Sequence, residues 1–231
     1  MPRHLPRGDE ALSRIGPGQP VWDVPIRLFH WLLVALIGFS WWSAENDHVD
    51  WHIWSGCAIL TLLIFRLLWG LVGSSTARFS SFVRGPRTVV DYLRGRWRGI
   101  GHTPLGALSV LGMLLAVAVQ VGLGLINEDD DGLYAGPLAH LVSLDVSEAA
   151  HDLHEDWFYV VLGLIALHVA AIVYYRIRGR SLVTPMITGK ADPEPGTQPL
   201  RPGKWWVALI CIGIAIGVTR WVIAGAPPFW A

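Results

Sequence analysis

The chain has 231 residues, of which 52 % are hydrophobic and 16 % are charged, and its formal net charge is zero. A soluble domain of this composition would expose large apolar patches, so a lipid bilayer is the more natural solvent. The lack of net positive charge argues against a nucleic acid partner. Cys57 and Cys211 lie in apolar runs and in no CxxC or CxxCH spacing, which argues against thiolate metal sites and covalently attached haem.

Five apolar runs are long enough for the roughly 20 residues that a transmembrane helix needs. The sequence predicts these spans at 25–43, 51–72, 104–126, 154–175 and 205–224. Prolines at the start of the first and third runs suit the first turn of a helix. The N-terminal segment, 1–20, has prolines and arginines but no apolar core, so it does not resemble a signal peptide and the first span is expected to direct insertion.

The charged residues between the apolar runs are divided by sign. Arginine and lysine are concentrated in the N-terminal segment and in the second and fourth loops. The first loop (44–50) and the third loop (127–153) contain acidic residues and neither lysine nor arginine. By the positive-inside rule, this division predicts a cytoplasmic N-terminus and an external C-terminus. The acidic third loop suits the docking of a basic soluble partner, although acidic residues are also simply tolerated on an external loop.

Histidine in or beside a bilayer is usually functional, because lipid offers no partner for its ring nitrogens. Three of the nine histidines, His4, His48 and His140, lie in the tail or in external loops and are expected to be solvated. Four others lie in the predicted spans or at their ends, namely His30, His52, His154 and His168.

The spacing and depth of these four histidines predict two pairs. His154 and His168 are fourteen residues apart, so they share a helix face and are separated by about 21 Å along it. His30 lies near the cytoplasmic end of the first span, and His52 lies at the external end of the second. We therefore pair His30 with His168 and His52 with His154. Two nitrogen ligands fill both axial positions of a haem iron, which favours electron transfer over dioxygen binding.

Two further histidines are rivals for these positions. A lone intramembrane histidine can also simply bond to a neighbouring helix, but four at matched depths favour ligation. His151 is seventeen residues from His168, which places it about 100° from the shared face and favours His154 as the ligand. His102 precedes the third span and matches no partner in face or depth. It is interpreted as an interfacial residue near a haem propionate or a quinone headgroup.

Arginines and glycines of the spans are interpreted through the same cofactor. Arg27 and Arg66 are expected to pair with haem propionates, since the guanidinium fork matches a carboxylate; snorkelling to the cytoplasmic surface is the alternative. Glycines along the second and third spans permit close helix packing or make room for a flat macrocycle. These glycines are Gly56, Gly70, Gly106, Gly112, Gly122 and Gly124.

Seven stretches in order resemble the bacterial cytochrome b561 and nickel-hydrogenase b-type cytochrome family. They are VWDVPIRLFHW (21–31), LLIFRLLWGLVG (62–73), ARFSSFVRGP (77–86), GHTPLGALSVL (101–111), GPLAHLVS (136–143), DLHEDWFYVVLGLIALHVAAIV (152–173) and LVTPMITGK (182–190). The resemblance implies a four-helix transmembrane bundle that binds two b haems in a bacterial inner membrane. Its ligands, carried over to this chain, fall on the first, second and fourth helices. These positions are His30, His52, His154 and His168.

The predicted architecture is therefore an all-α membrane protein with additions to the family pattern. It has an N-terminal extension (1–20), a di-haem cytochrome b domain (21–190), a linker (191–204) and a fifth transmembrane helix with an external tail (205–231). The two additions, the extension and the fifth helix, are positions where a partner subunit or a second copy of the chain would be expected to contact it.

The predicted function is electron transfer between the quinone pool and a periplasmic partner, which the resemblance implies to be a c-type cytochrome or a hydrogenase. A quinone is thus expected as a further ligand, with His102, Asp91 and Glu155 as candidates for its protons. The alternatives are a stand-alone quinone oxidoreductase and, in another class, a haem-free transporter or a membrane anchor subunit.

Overall fold

A computed structural model describes residues 18–82, 94, 104–129, 132–191 and 200–227. Within these residues, five helices are long and apolar enough to cross a membrane. They are α1 (Val24–Glu45), α2 (Val49–Val72), α4 (Pro104–Ile126), α5 (Leu144–Ile177) and α7 (Trp205–Ile223). Two short helices, α3 (Phe79–Phe82) and α6 (Val183–Thr188), and one 3-10 turn, Ala139–Leu141, lie between them. The predicted all-α membrane bundle with a fifth helix is confirmed.

Helix α5 differs most from its predicted span, because it begins ten residues earlier, at Leu144 rather than at 154. Acidic residues in that first part kept it out of the apolar window. Acidic side chains near a helix N-terminus interact favourably with the helix dipole, so polarity did not prevent helix formation. The stretch 132–143 before α5 contains the 3-10 turn Ala139–Leu141.

Helix α2 is the hub of the bundle. Three residues (46–48) join it to α1, and Asp47 takes a positive φ of 58° in this turn, so the two helices run antiparallel. Helix α2 also packs against α7 and α4, and α4 packs along α5. Half of the most apolar part of α2 is buried, more than in any other span described. The outward surfaces carry many exposed apolar side chains, as expected where lipid is the solvent.

The fifth helix, α7, is an integral part of this bundle. Its Cys211 and Ala215 are buried in one core cluster with Phe65 and Trp69 of α2. Thr61, midway along α2, donates a hydrogen bond of 2.9 Å from its Oγ1 to Thr219 Oγ1, near the C-terminal end of α7. Small and hydroxyl-bearing residues of this kind allow close packing and hydrogen bonding between helices in lipid.

The segment before α7, which contains the described end of the predicted linker, is also held to the bundle. The amide of Ser75 donates to the carbonyl of Arg201, and the amide of Arg201 donates to Ser75 Oγ. Gly203 lies so close to the Trp69 ring that a Cβ there would be 2.6 Å from it. The chain therefore enters α7 along a defined path.

The two ends of the bundle have different charge. We call the end formed by residues 46–48, 127–129 and 132–143 the acidic end, and the end formed by 18–23, 73–82, 178–191 and 200–204 the basic end. At the basic end, strand β1 (Gln19–Pro20) pairs antiparallel with strand β2 (Lys190–Ala191). The amides of Val21 and Trp22 both donate to the carbonyl of Gly189. These bonds join the two ends of the predicted domain.

Asp23 connects α1 to α2 at the basic end. One carboxylate oxygen accepts the Ile26 amide at 2.9 Å, which caps the N-terminus of α1. The other accepts the indole N–H of Trp69, also at 2.9 Å, and Trp69 is only 1 % exposed. Asp23 itself is buried, so both bonds are shielded from water.

We expect Asp23→Ala to lower the melting temperature of the detergent-solubilised protein. The change removes a helix cap worth about 1 kcal/mol and leaves the Trp69 indole N–H buried without an acceptor, which costs about 1–3 kcal/mol. Thermal unfolding measured by circular dichroism tests this. The matched control is Asp50→Ala, which removes an exposed acid from the first turn of α2. Equal melting temperatures for the two variants would contradict this role of Asp23.

Candidate functional site

The structure places the four candidate histidines at two levels of the bundle. His52, in the first turns of α2, contacts Ser40 of α1. His30 lies ten residues before Ser40 on α1, about 15 Å nearer the basic end. On α5, His154 and His168 are separated by about 21 Å. The arrangement therefore contains an acidic-end pair, His52 with His154, and a basic-end pair, His30 with His168.

The acidic-end pair is held by main-chain hydrogen bonds. The centroids of the His52 and His154 rings are 5.8 Å apart, and the ring planes are nearly perpendicular at 87°. His52 Nδ1 lies 2.9 Å from the carbonyl oxygen of Ser40, and His154 Nδ1 lies 2.9 Å from that of Gln120. Because a carbonyl only accepts, each Nδ1 carries the proton. Each Nε2 therefore keeps a lone pair for a metal, the usual pattern in metal-binding histidines.

Gly124 of α4 makes the His154 contact possible. In a helix, residue 124 lies one turn beyond residue 120 and beside its carbonyl oxygen. A Cβ at Gly124 would be 2.9 Å from His154 Cε1 and 3.2 Å from Nδ1. A side chain at this position would thus push the ring away from its acceptor. Gly124, one of the six glycines noted along the second and third spans, thus lies against a candidate ligand.

The basic-end pair is more open. His30 and His168 lie near enough to interact electrostatically, although α1 and α5 are not among the closely packed helix pairs. His30 Nδ1 is buried and has no hydrogen-bond partner among the described residues. Its ring meets Trp31 edge-on, with 4.9 Å between ring centroids. The two imidazoles thus lie near each other on helices that do not pack closely together.

The comparison with protein families shows the family of this chain. A model of the family described as prokaryotic cytochrome b561 matches residues 21–189, well over half of the chain. The chain belongs to the prokaryotic cytochrome b561 family. A cytochrome b561 binds b-type haem and transfers electrons across a membrane. No match was found among curated proteins or among solved structures.

The matched region lies directly between the two paired strands, β1 and β2, which join the ends of the cytochrome b561 core. The match begins at Val21, next to β1, and ends at Gly189, next to β2. Helix α7 lies beyond it, although it packs against α2 as closely as a core helix does. The fifth helix is therefore an addition to the family core that shares its interior.

The acidic-end pair of this cytochrome b561 fits an axial ligand pair for haem. Imidazole nitrogens bind metals at about 2 Å, so the 5.8 Å between the ring centroids is compatible with both rings binding one iron. Both rings carry the tautomer that ligation needs, with the proton on Nδ1. At the basic end, the buried Nδ1 of His30 lacks, among the described residues, the acceptor that both rings of the acidic-end pair have.

The two candidate arginines lie at the basic end in different environments. Arg27 donates from its guanidinium to the carbonyl of Ile187, at the end of α6, and its Nε is buried without a partner among the described residues. Arg66 is only 5 % exposed, and its guanidinium lies 4.6 Å over the Phe79 ring. One terminal nitrogen of Arg66 has no partner in the described part of the chain. Propionate binding by either residue stays a prediction.

The remaining candidates are the rival histidines and the residues expected to handle protons. His151 Nε2 lies 3.7 Å from Glu155 Oε1, one turn along α5, and that carboxylate is largely exposed. His102 and Asp91 lie outside the described residues. His48, expected to be a solvated loop residue, is exposed but packs at 4.5 Å between ring centroids against Trp51.

Ser40 and Gln120 are site residues that sequence reasoning missed. Both act on the histidines through main-chain carbonyls, and every residue type has a carbonyl, so residue identity gave no signal. Gln120 also uses its side chain, since its Nε2 donates to the His154 carbonyl at 2.9 Å. A glutamine inside an apolar run was the one available sign, because an intramembrane amide needs partners.

We expect Gly124→Ala to reduce the haem bound per chain, because the added methyl group occupies the place of the His154 ring. Overpacking of this kind displaces neighbours and typically costs about 1–3 kcal/mol. Gly122→Ala is the matched control, since a Cβ at Gly122 meets nothing within 4 Å. Haem quantified as its pyridine complex checks both variants. Full haem content in Gly124→Ala would contradict the contact.

Proposed function

We propose that this cytochrome b561 carries electrons across the bacterial inner membrane through two b haems. The electrons pass between the quinone pool and a periplasmic redox protein, either a c-type cytochrome or a hydrogenase. The observation that supports the proposal most is the acidic-end pair, in which two neighbouring imidazoles both have Nδ1 bonded to a main-chain carbonyl. When bound, haem would supply a one-electron carrier that the histidine pairs hold.

The residues of the chain have separate tasks in this proposal. His52 and His154 hold one haem at the acidic end, and His30 and His168 hold the other at the basic end. Because His154 and His168 share one helix face, α5 lines the path between the two levels. The apolar core between the levels, which includes Ile59 and Val161, excludes water from this path.

The charges at the two ends support the proposed orientation. The acidic end has no lysine or arginine, whereas basic residues follow α5 and precede α7 at the other end. The positive-inside rule places the basic end in the cytoplasm and the C-terminus in the periplasm. A basic periplasmic partner would then be attracted to the same end of the bundle as the His52–His154 pair.

Quinone exchange is assigned to the basic end. A cavity of about 260 Å³ lies there beside α5, lined by apolar side chains together with Arg176 and Ser181. Its lining begins at Ile172, one helical turn beyond His168. Apolar walls with a few polar groups suit a quinone ring that arrives from the lipid.

We expect His154→Ala and His52→Ala each to reduce the haem content from two per chain to one, because each removes an axial ligand of the same haem. His30→Ala and His168→Ala should each remove the other haem. His151→Ala is the matched control and should keep both. Redox titration followed at the reduced α-band measures which haem is lost. Loss of both haems in every variant, or of neither, would overturn the pairing.

We expect Leu182→Trp to slow reduction of the purified protein by a short-chain quinol, since the larger side chain fills the cavity. Stopped-flow absorbance at the haem bands measures the rate. Leu115→Trp, at an exposed position midway along α4, is the control and should reduce at the wild-type rate. Equal rates in the two variants would show that the quinol reacts at another site.

A further inference from the structure

Gln120 of α4 is bonded to His154 in two ways. Its main-chain carbonyl accepts the His154 Nδ1 proton at 2.9 Å. Its side-chain Nε2 donates to the main-chain carbonyl of His154, also at 2.9 Å. The first bond orients the ring, and the second holds the backbone from which the ring projects. Gln120 therefore holds both the orientation of the His154 ring and the position of the His154 backbone along the bundle.

The orientation of the Gln120 amide follows from these bonds. The carbonyl oxygen of His154 can only accept, so the NH₂ group faces it and Oε1 points away. Oε1 is buried and has no hydrogen-bond partner among the described residues. An unpaired buried acceptor is unfavourable, so Oε1 of Gln120 lowers the stability of the fold at this position.

A third bond extends this contact along the two helices. One turn from Gln120 on α4, the carbonyl of Ala116 accepts the indole N–H of Trp157 at 2.9 Å. Trp157 lies one turn from His154 on α5. The three bonds together fix how far α5 lies along α4. The same register sets the position of His154 relative to His52 on the neighbouring α2.

We propose that Gln120 is a positioning residue that sets the reduction potential of the acidic-end haem through His154. The proposal rests on the proposed function, since it takes His52 and His154 as that haem's ligands. An imidazole that donates its Nδ1 proton to an acceptor is a stronger ligand, which stabilises the ferric state. Hydrogen bonding around axial ligands is one of the means by which proteins tune haem potentials. Holding the His154 backbone against Gln120 keeps that bond short.

The test replaces the amide while it keeps the shape of the side chain. Gln120→Met is nearly isosteric but cannot donate to the His154 carbonyl. Gln120→Asn keeps the amide on a chain that is one methylene group too short to reach, so it serves if Gln120→Met fails to assemble. Both should raise the midpoint potential of the acidic-end haem and shift its ferric electron paramagnetic resonance signal. The basic-end haem should keep its potential and serves as an internal reference.

Ser109→Ala is the matched control on α4, because the Ser109 hydroxyl contacts Met113 of the same helix. It should leave both potentials at their wild-type values. If the Gln120 variants retain both haems with unchanged potentials and spectra, Gln120 only fills space and the inference is wrong. If His154→Ala retains both haems, the assignment of ligands fails instead, and this outcome is distinct from the first.

Discussion

The central constraint in this protein is the hydrogen-bonding requirement of imidazole inside a membrane. A neutral ring has one N–H to donate and one lone pair that can accept, and lipid tails offer neither an acceptor nor a donor. In the acidic-end pair, the carbonyls of Ser40 and Gln120 accept hydrogen bonds from the two Nδ1–H groups. Both lone pairs are then left for the haem iron of the proposed site, so the bonds that satisfy the rings in the bilayer would also prepare them as ligands.

Several features of the bundle serve this arrangement. The carbonyl of Gln120 is reachable because residue 124 is glycine, and the Ser40 carbonyl is reachable because a three-residue turn brings α1 beside α2. Helices α2 and α5 carry the two histidines of the acidic-end pair, and α1 and α4 carry the carbonyls that accept their hydrogen bonds. The site is thus assembled from four helices even though three of them carry the four histidines.

Helix α7 supports the arrangement from the other side of α2. Cys211 and Ala215 pack into the same core as Phe65 and Trp69, and the Thr61–Thr219 bond joins the two helices in the apolar interior. Covering α2 in this way buries its basic-end half in protein, where the buried Arg66 and Trp69 lie. The additional helix therefore contributes to the rigidity of a ligand-bearing helix.

The spans, the family and the depth of each candidate histidine could be predicted from the sequence, because hydropathy, loop charge and helical phase are all local properties. The early start of α5 at Leu144 could not, since a polar helix outside the lipid has no hydropathy signal. The acceptors for the imidazole N–H groups could not be predicted either. They are main-chain carbonyls on other helices, so they depend on how the helices pack. The same holds for Arg66, whose neighbour Phe79 lies beyond the end of α2.

Low-temperature electron paramagnetic resonance of the oxidised wild-type protein, with haem quantified on the same sample, tests the proposed di-haem arrangement most directly. Two haems b per chain are expected, both low-spin because two histidines would bind each iron. The near-perpendicular rings of His52 and His154, at 87°, further predict a strongly anisotropic low-spin signal for the acidic-end haem. A single haem per chain, or a high-spin ferric signal of equal weight, would contradict this arrangement.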